Sequence, residues 1–186
     1  EENVVQVRRN WWKRLAVAAV IIIAGSAAIW YMSANKITAS TDALVEKHNS
    51  RGTKSTIELI DGSKIWLNAD SKIKYPEVFT GDTREVYLNG EAFFEVAKNP
   101  SKPFIIHLAN GTVRVLGTSF NVRAYDNEKI VETSVATGKV AFIPKYQTRR
   151  QKQDTLFITP NNKVRYSLEE DQANVLPTAA AEDRHG

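Results

Sequence analysis

Glu91 and Glu95 are the carboxylates that first suggest chemistry. Their even spacing puts both on one face of a strand, where two acids could serve as general acid and base. Four residues of strand span about 13 Å, whereas the carboxylates of a glycosidase stand roughly 5 to 9.5 Å apart. A dyad within this strand is therefore excluded, and a catalytic pair needs a second carboxylate from a neighbouring strand. The three histidines, His48, His107 and His185, are scattered, with no HExxH or paired-ligand spacing. His107 alternates with Ile106 and Leu108, the pattern of a strand-surface residue. Gly117-Thr118-Ser119 lacks the second glycine of a nucleophile elbow and the Gly-Lys-Ser/Thr of a phosphate loop, so it reads as a strained turn. Asn110-Gly111-Thr112 fits a glycosylation triplet, but its Asn-Gly already serves as a hairpin turn. The 186 residues contain no cysteine, which excludes disulfides, zinc ribbons and cysteine nucleophiles. The expectation is a protein with no catalytic residue, no cofactor and no metal.

The elements that would position these residues are short runs of β-branched and aromatic side chains, punctuated by turn residues. Candidate strands are 55–60, 64–67, 72–75, 84–88, 91–97, 104–108, 112–116, 119–125, 129–135, 140–143, 155–158 and 163–167. Between them stand Asp61-Gly62, Asn89-Gly90, Asn110-Gly111, Asp126-Asn127, Thr137-Gly138 and Asn161-Asn162. Asn-Gly and Asp-Gly adopt positive φ readily, as tight hairpins require. Many short strands with no alternating helices predict an all-β fold, an antiparallel β-sandwich or β-roll over residues 55–168. Residues 33–54, polar and without apolar periodicity, read as a linker with a short helical piece near 42–47. Residues 169–186 read as a disordered or truncated tail.

Ahead of the linker, Leu15–Met32 is an uncharged run of 18 residues, long enough to span a bilayer. Trp11 and Trp12 precede it and Trp30 and Tyr31 close it, two aromatic pairs about 30 Å apart at helical rise, which suit the two membrane interfaces. Arg8, Arg9, Lys13 and Arg14 crowd the N-terminal flank, which places residues 1–14 in the cytoplasm and everything after Met32 outside it. A cleaved signal peptide is the competing reading, but the apolar core is long and ends in bulky Trp-Tyr-Met. The formal net charge is +4. Setting aside those four cations with Glu1 and Glu2 leaves 21 basic and 19 acidic residues, too balanced for nucleic acid.

Several motifs follow one another in order. They are Leu59-Ile60-Asp61-Gly62-Ser63, Trp66-Leu67-Asn68-Ala69, Tyr75-Pro76, the run from Arg84 through Asn89-Gly90-Glu91 to Val96, Pro103-Phe104, Val115 through Gly117-Thr118-Ser119-Phe120-Asn121 to Val122, and Thr137-Gly138-Lys139-Val140. With them the segment Thr56–Ile143 resembles the periplasmic domain of the FecR family of transmembrane anti-sigma regulators, in the form common in Bacteroidetes-type bacteria. The single anchor just upstream is also that family's layout. Physically the motif residues read as fold-makers. Gly62, Gly90 and Gly138 serve turns, Leu67, Leu88, Phe94 and Phe120 fill a core, and Asn68 and Asn121 suit capping in bends. Asp61, Gly117 and Thr118 complete the structural set.

The resemblance implies a relay across the bacterial inner membrane. The periplasmic part would receive the state of the signalling domain of a TonB-dependent outer-membrane transporter, under the influence of a ferric siderophore or a glycan. A cytoplasmic domain would hold or release an extracytoplasmic-function sigma factor. The chain opens on Glu1 rather than Met and reads as an excerpt with that domain missing, so no sigma-contacting residue is assigned. Two rival readings make structural demands. A tethered glycan- or polymer-binding module requires a groove lined by exposed aromatics such as Trp66, Tyr87 or Phe93. A tethered hydrolase requires two carboxylates converging across strands.

Overall fold

The computed structural model describes Ile23, Gly25, Ser26, residues 44–145 and residues 155–178. The chain divides into two compact units, Glu1–Thr41 and Asp42–Gly186. In the first, the three described residues are helical, and the Ser26 hydroxyl donates to the Ile23 carbonyl at 2.9 Å. No helix among the described residues is long and apolar enough to cross a membrane. Apart from those three positions, the expected span at 15–32 lies outside the described residues, as do Trp11, Trp12, Trp30 and Tyr31.

The second unit is all-β: β1 (Leu44–Asn49), β2 (Ser55–Glu58), β3 (Lys64–Leu67), β4 (Ser71–Pro76), β5 (Arg84–Glu95), β6 (Phe104–Leu108), β7 (Gly111–Val115), β8 (Ser119–Ala124), β9 (Ile130–Thr137), β10 (Val140–Pro144), β11 (Leu156–Ile158), β12 (Asn162–Ser167) and β13 (Gln172–Pro177). Two sheets share β5. One runs β1-β4-β5-β6-β7-β10-β11 and the other β2-β3-β5-β8-β9-β12-β13. Among these pairs only β5–β6 is parallel.

The Asn89-Gly90 hairpin expected from the sequence is absent, because β5 continues through it. Its first half pairs with β4 and β6 and its second half with β3 and β8. Gly90 has φ +119°, and a Cβ there would sit 2.3 Å from Ser71 Oγ and 2.7 Å from Ser71 Cα. The glycine bends one strand from sheet to sheet instead of reversing the chain, and Ser71 fills the space a side chain would take. The alternation survives the bend. Arg84, Val86, Leu88, Gly90, Ala92 and Phe94 are all buried, so one 12-residue strand feeds one core from both sheets.

That core is aromatic at its centre. Phe94 stacks on Phe120 at 5.3 Å between centroids and meets Phe104 edge-on at 6.3 Å. Phe142 lies against Tyr166, whose hydroxyl donates to the Asp171 carboxylate at 2.8 Å.

Both ends of the unit extend beyond the expected 55–168. The supposed linker supplies β1, which carries His48, and the supposed tail supplies β13. Each is an edge strand with a single neighbour, β4 and β12 respectively. Each hides almost nothing of its own, and the one buried residue of β1 is a polar one, Asn49. Such strands take their register from the neighbour's backbone and leave no apolar alternation to read.

Candidate functional site

The motif residues divide between a buried brace and the rim of a groove. At the β2–β3 turn, Asp61 accepts from the Ser63 amide at 3.1 Å and the Ser63 hydroxyl at 2.8 Å, and Gly62 donates its amide to the Leu59 carbonyl. The same carboxylate accepts from Arg84 Nη1 at 2.7 Å. Arg84, only 1% exposed, also donates to the carbonyls of Lys102 and Ala97 and lies 5.3 Å from the Phe104 ring centroid. A buried guanidinium thus ties the β2–β3 hairpin to β5 and to the chain that follows it. The sequence reading missed Arg84. The available signal was its parity: it stands in phase with inward Val86 and Leu88, and a cation in that phase needs a buried partner.

Leu67, Phe94 and Phe120 are buried in the core, and Asn68 accepts from the Ala69 amide at 2.9 Å in the bend after β3. Thr118, buried, donates to the Lys139 carbonyl, across from Gly138 in the β9–β10 turn. Gly117 has φ +150°, and a Cβ on it would stand 2.5 Å from Lys98 Cα, so the backbone before β8 closes against the chain after β5. Asn121 departs from its expected role. It sits mid-strand in β8 and donates to Glu91 Oε1 at 3.0 Å, a side-chain partner across the sheet rather than a backbone group in a bend.

Asn121 and Glu91 belong to a groove of about 370 Å³ on the outer face of the second sheet, lined also by Thr56, Trp66, Asn68 and Phe93. Trp66 and Phe93 are opposite one another on β3 and β5, with centroids 5.6 Å apart at 57°. Trp66 is 38% exposed. Strand register continues this row in a line, Thr56, Trp66, Phe93, Asn121, Ser134 and Lys163 facing one another across six strands. Glu91 is paired to Arg123 at 3.1 Å, and Arg123 donates also to Glu128 at 3.0 Å. Hydrogen bonds to Glu128 lead in holding the Arg123 guanidinium above its ordinary range, with the charge of Glu91 adding to it. These two carboxylates therefore meet through a cation and do not face each other across a gap, as an acid–base pair would have to.

Tyr87 does not join the groove. It stacks on His107 at 4.7 Å on the outer face of the first sheet, where His107 meets Glu85 at 2.8 Å. The Thr83 hydroxyl and then His107 lower the pKa of Glu85 by hydrogen bonding to its carboxylate. A second, more apolar groove of about 440 Å³ lies on the outer face of that sheet, lined by Leu116, Ile143 and Phe157.

The family model described as FecR protein matches residues 46–141, from β1 to β10. The chain belongs to the FecR family. Two crystal structures of a candidate anti-sigma factor from Parabacteroides distasonis ATCC 8503, at 2.50 Å and 1.65 Å resolution, resemble it with TM-scores of 0.68 and 0.67. Each is 32% identical to this chain, over 75% of it and 62% of the solved chain. No curated protein matches the sequence. In this FecR chain β11, β12 and β13 lie past the matched segment, yet β11 extends the first sheet while β12 and β13 extend the second. The Asp61–Arg84 brace and the Trp66–Phe93 groove both fall inside it.

Proposed function

We propose that this chain is the tether and outer domain of an anti-sigma factor of the bacterial inner membrane. In this reading Leu15–Met32 crosses the bilayer once, residues 1–14 are cytoplasmic, and the β unit stands in the periplasm. The β unit takes the state of a TonB-dependent outer-membrane transporter through protein–protein contact. A domain on the cytoplasmic side holds an extracytoplasmic-function sigma factor and so sets transcription of uptake genes. The observation that carries the reading is membership of the FecR family combined with likeness to a candidate anti-sigma factor. The basic residues before Leu15 and the balanced charge after Met32 support the orientation and a partner other than nucleic acid. A regulator of this kind works by binding without catalysis, and the bridging of Glu91 and Glu128 by Arg123 agrees with that.

The test compares transcripts of cells lacking the full-length gene with cells overexpressing it, alongside affinity purification of the full-length protein from detergent extracts. One transporter operon should change, and one sigma factor should co-purify. Unchanged transcripts with no sigma factor recovered would overturn the relay. A tethered binding module for a glycan or envelope polymer is the second reading, and the exposed Trp66 above the groove is the observation that favours it.

A further inference from the structure

We infer that the groove at Trp66 and Phe93 binds a neutral, unbranched oligosaccharide lying across the strands. The chemistry of the lining selects this class. A pyranose ring has an apolar C–H face and a rim of hydroxyls, and the groove answers with an exposed indole beside amide, hydroxyl and carboxylate groups of Asn68, Asn121, Thr56 and Glu91. The lining carries two charged side chains: Glu91 is held by Arg123 and Arg123 in turn by Glu128, while Lys54 is exposed ahead of β2, where water screens it, so a charged ligand gains little there.

The surroundings argue against a protein partner on this face. Outside the two rings the outward neighbours are charged or polar: Glu58, Lys64, Glu95 and Arg123. A stable protein interface needs an apolar centre within about 800 Å² on each partner, and two rings ringed by charges do not provide it.

Geometry adds a length. Adjacent strands lie roughly 4.8 Å apart, about the advance of one sugar ring along an extended chain. The row Thr56, Trp66, Phe93 and Asn121, all lining the groove, therefore offers one side chain per ring over four rings, a hydroxyl, the two aromatic platforms and an amide. The inference rests on the second reading above, a glycan-binding module, and is independent of the sigma-factor relay. The relay fails or holds by transcripts, and the groove by direct binding.

The experiment titrates the full chain, held in lipid nanodiscs, with unbranched gluco-, xylo- and manno-oligosaccharides of increasing length by isothermal calorimetry. At least one series should bind, with affinity rising as rings are added up to four and levelling beyond. Trp66→Ala should weaken it roughly tenfold or more, Trp66→Phe should retain part of it, and Asn121→Ala should weaken it several-fold. Phe157→Ala, in the other groove, should change nothing. Absence of binding in all three series would overturn the inference. So would binding indifferent to Trp66→Ala, or affinity that does not grow with ring number.

Discussion

Changing Asp61 to Asn removes one charge and keeps the side chain's shape, leaving the Arg84 guanidinium in a site only 1% exposed to water. Breaking a buried ion pair from one side costs about 3–5 kcal/mol, because the remaining charge is left uncompensated. Arg84 keeps the carbonyls of Lys102 and Ala97 at 2.8 and 2.9 Å, so the loss belongs at the lower end, about 3 kcal/mol. With a urea slope of about 1–3 kcal/mol per molar, the unfolding midpoint should fall by roughly 1–3 M. Far-ultraviolet circular dichroism reads that midpoint. Arg84→Met added to Asp61→Asn removes the stranded cation, so the double variant should be no less stable than Asp61→Asn alone, and the coupling in a double-mutant cycle should be at least as large as the cost of Arg84→Met by itself. A cost below about 1 kcal/mol for Asp61→Asn, or simple additivity of the two changes, would refute the idea that a buried charge pair braces the hairpin to β5.

Gly90→Ala should cost about 3 kcal/mol or more, from strain at φ +119° and from the collision with Ser71, read as a lower thermal midpoint. Phe94→Ala opens a cavity between Phe104 and Phe120 and should cost about 3–5 kcal/mol in the same melt. Because Thr83 and then His107 lower the pKa of Glu85, the stability it contributes is present above the ordinary glutamate value and lost as pH falls through the lowered one. The gap in thermal midpoint between the native chain and Glu85→Gln should therefore be small at neutral pH, for a half-exposed group, and should close as the pH falls below the ordinary glutamate value and through the lowered one.

Strands that alternate buried and exposed residues were legible to the residue: Lys64–Leu67 and Phe104–Leu108 stand where the pattern puts them. Asn89-Gly90 misled because a glycine at positive φ serves a bend within a strand as well as a reversal, and only the packing of Ser71 tells the two apart. The edge strands β1 and β13 were illegible for the opposite reason, having little apolar face to announce them. The groove was half legible. Trp66, Tyr87 and Phe93 stand out as aromatics in outward phase, and Tyr87 and Phe93 share a parity on one strand. The bend at Gly90 sends them to different sheets, which puts Tyr87 beside His107 and leaves Phe93 with Trp66. No local pattern carries that information, because it is a property of which strands β5 pairs with on each side of the bend.

The position of β1 has a mechanical consequence. It is the first strand of the unit, and only β4 holds it. A load drawing Leu44 away from Pro76 would open the rungs singly, Val45 from Tyr75, then Glu46 from Lys74, and so on towards His48, as a zip fastener opens. At Asn49 the motion meets a catch. That side chain, buried, donates to the carbonyls of Leu67 and Asn68 at the end of β3 and accepts from the Ser55 hydroxyl at the start of β2, none of them on the strand that β1 pairs with. Tension applied at Leu44 can thus free a few residues of β1 at low force and then stall, leaving the rest of the fold undisturbed.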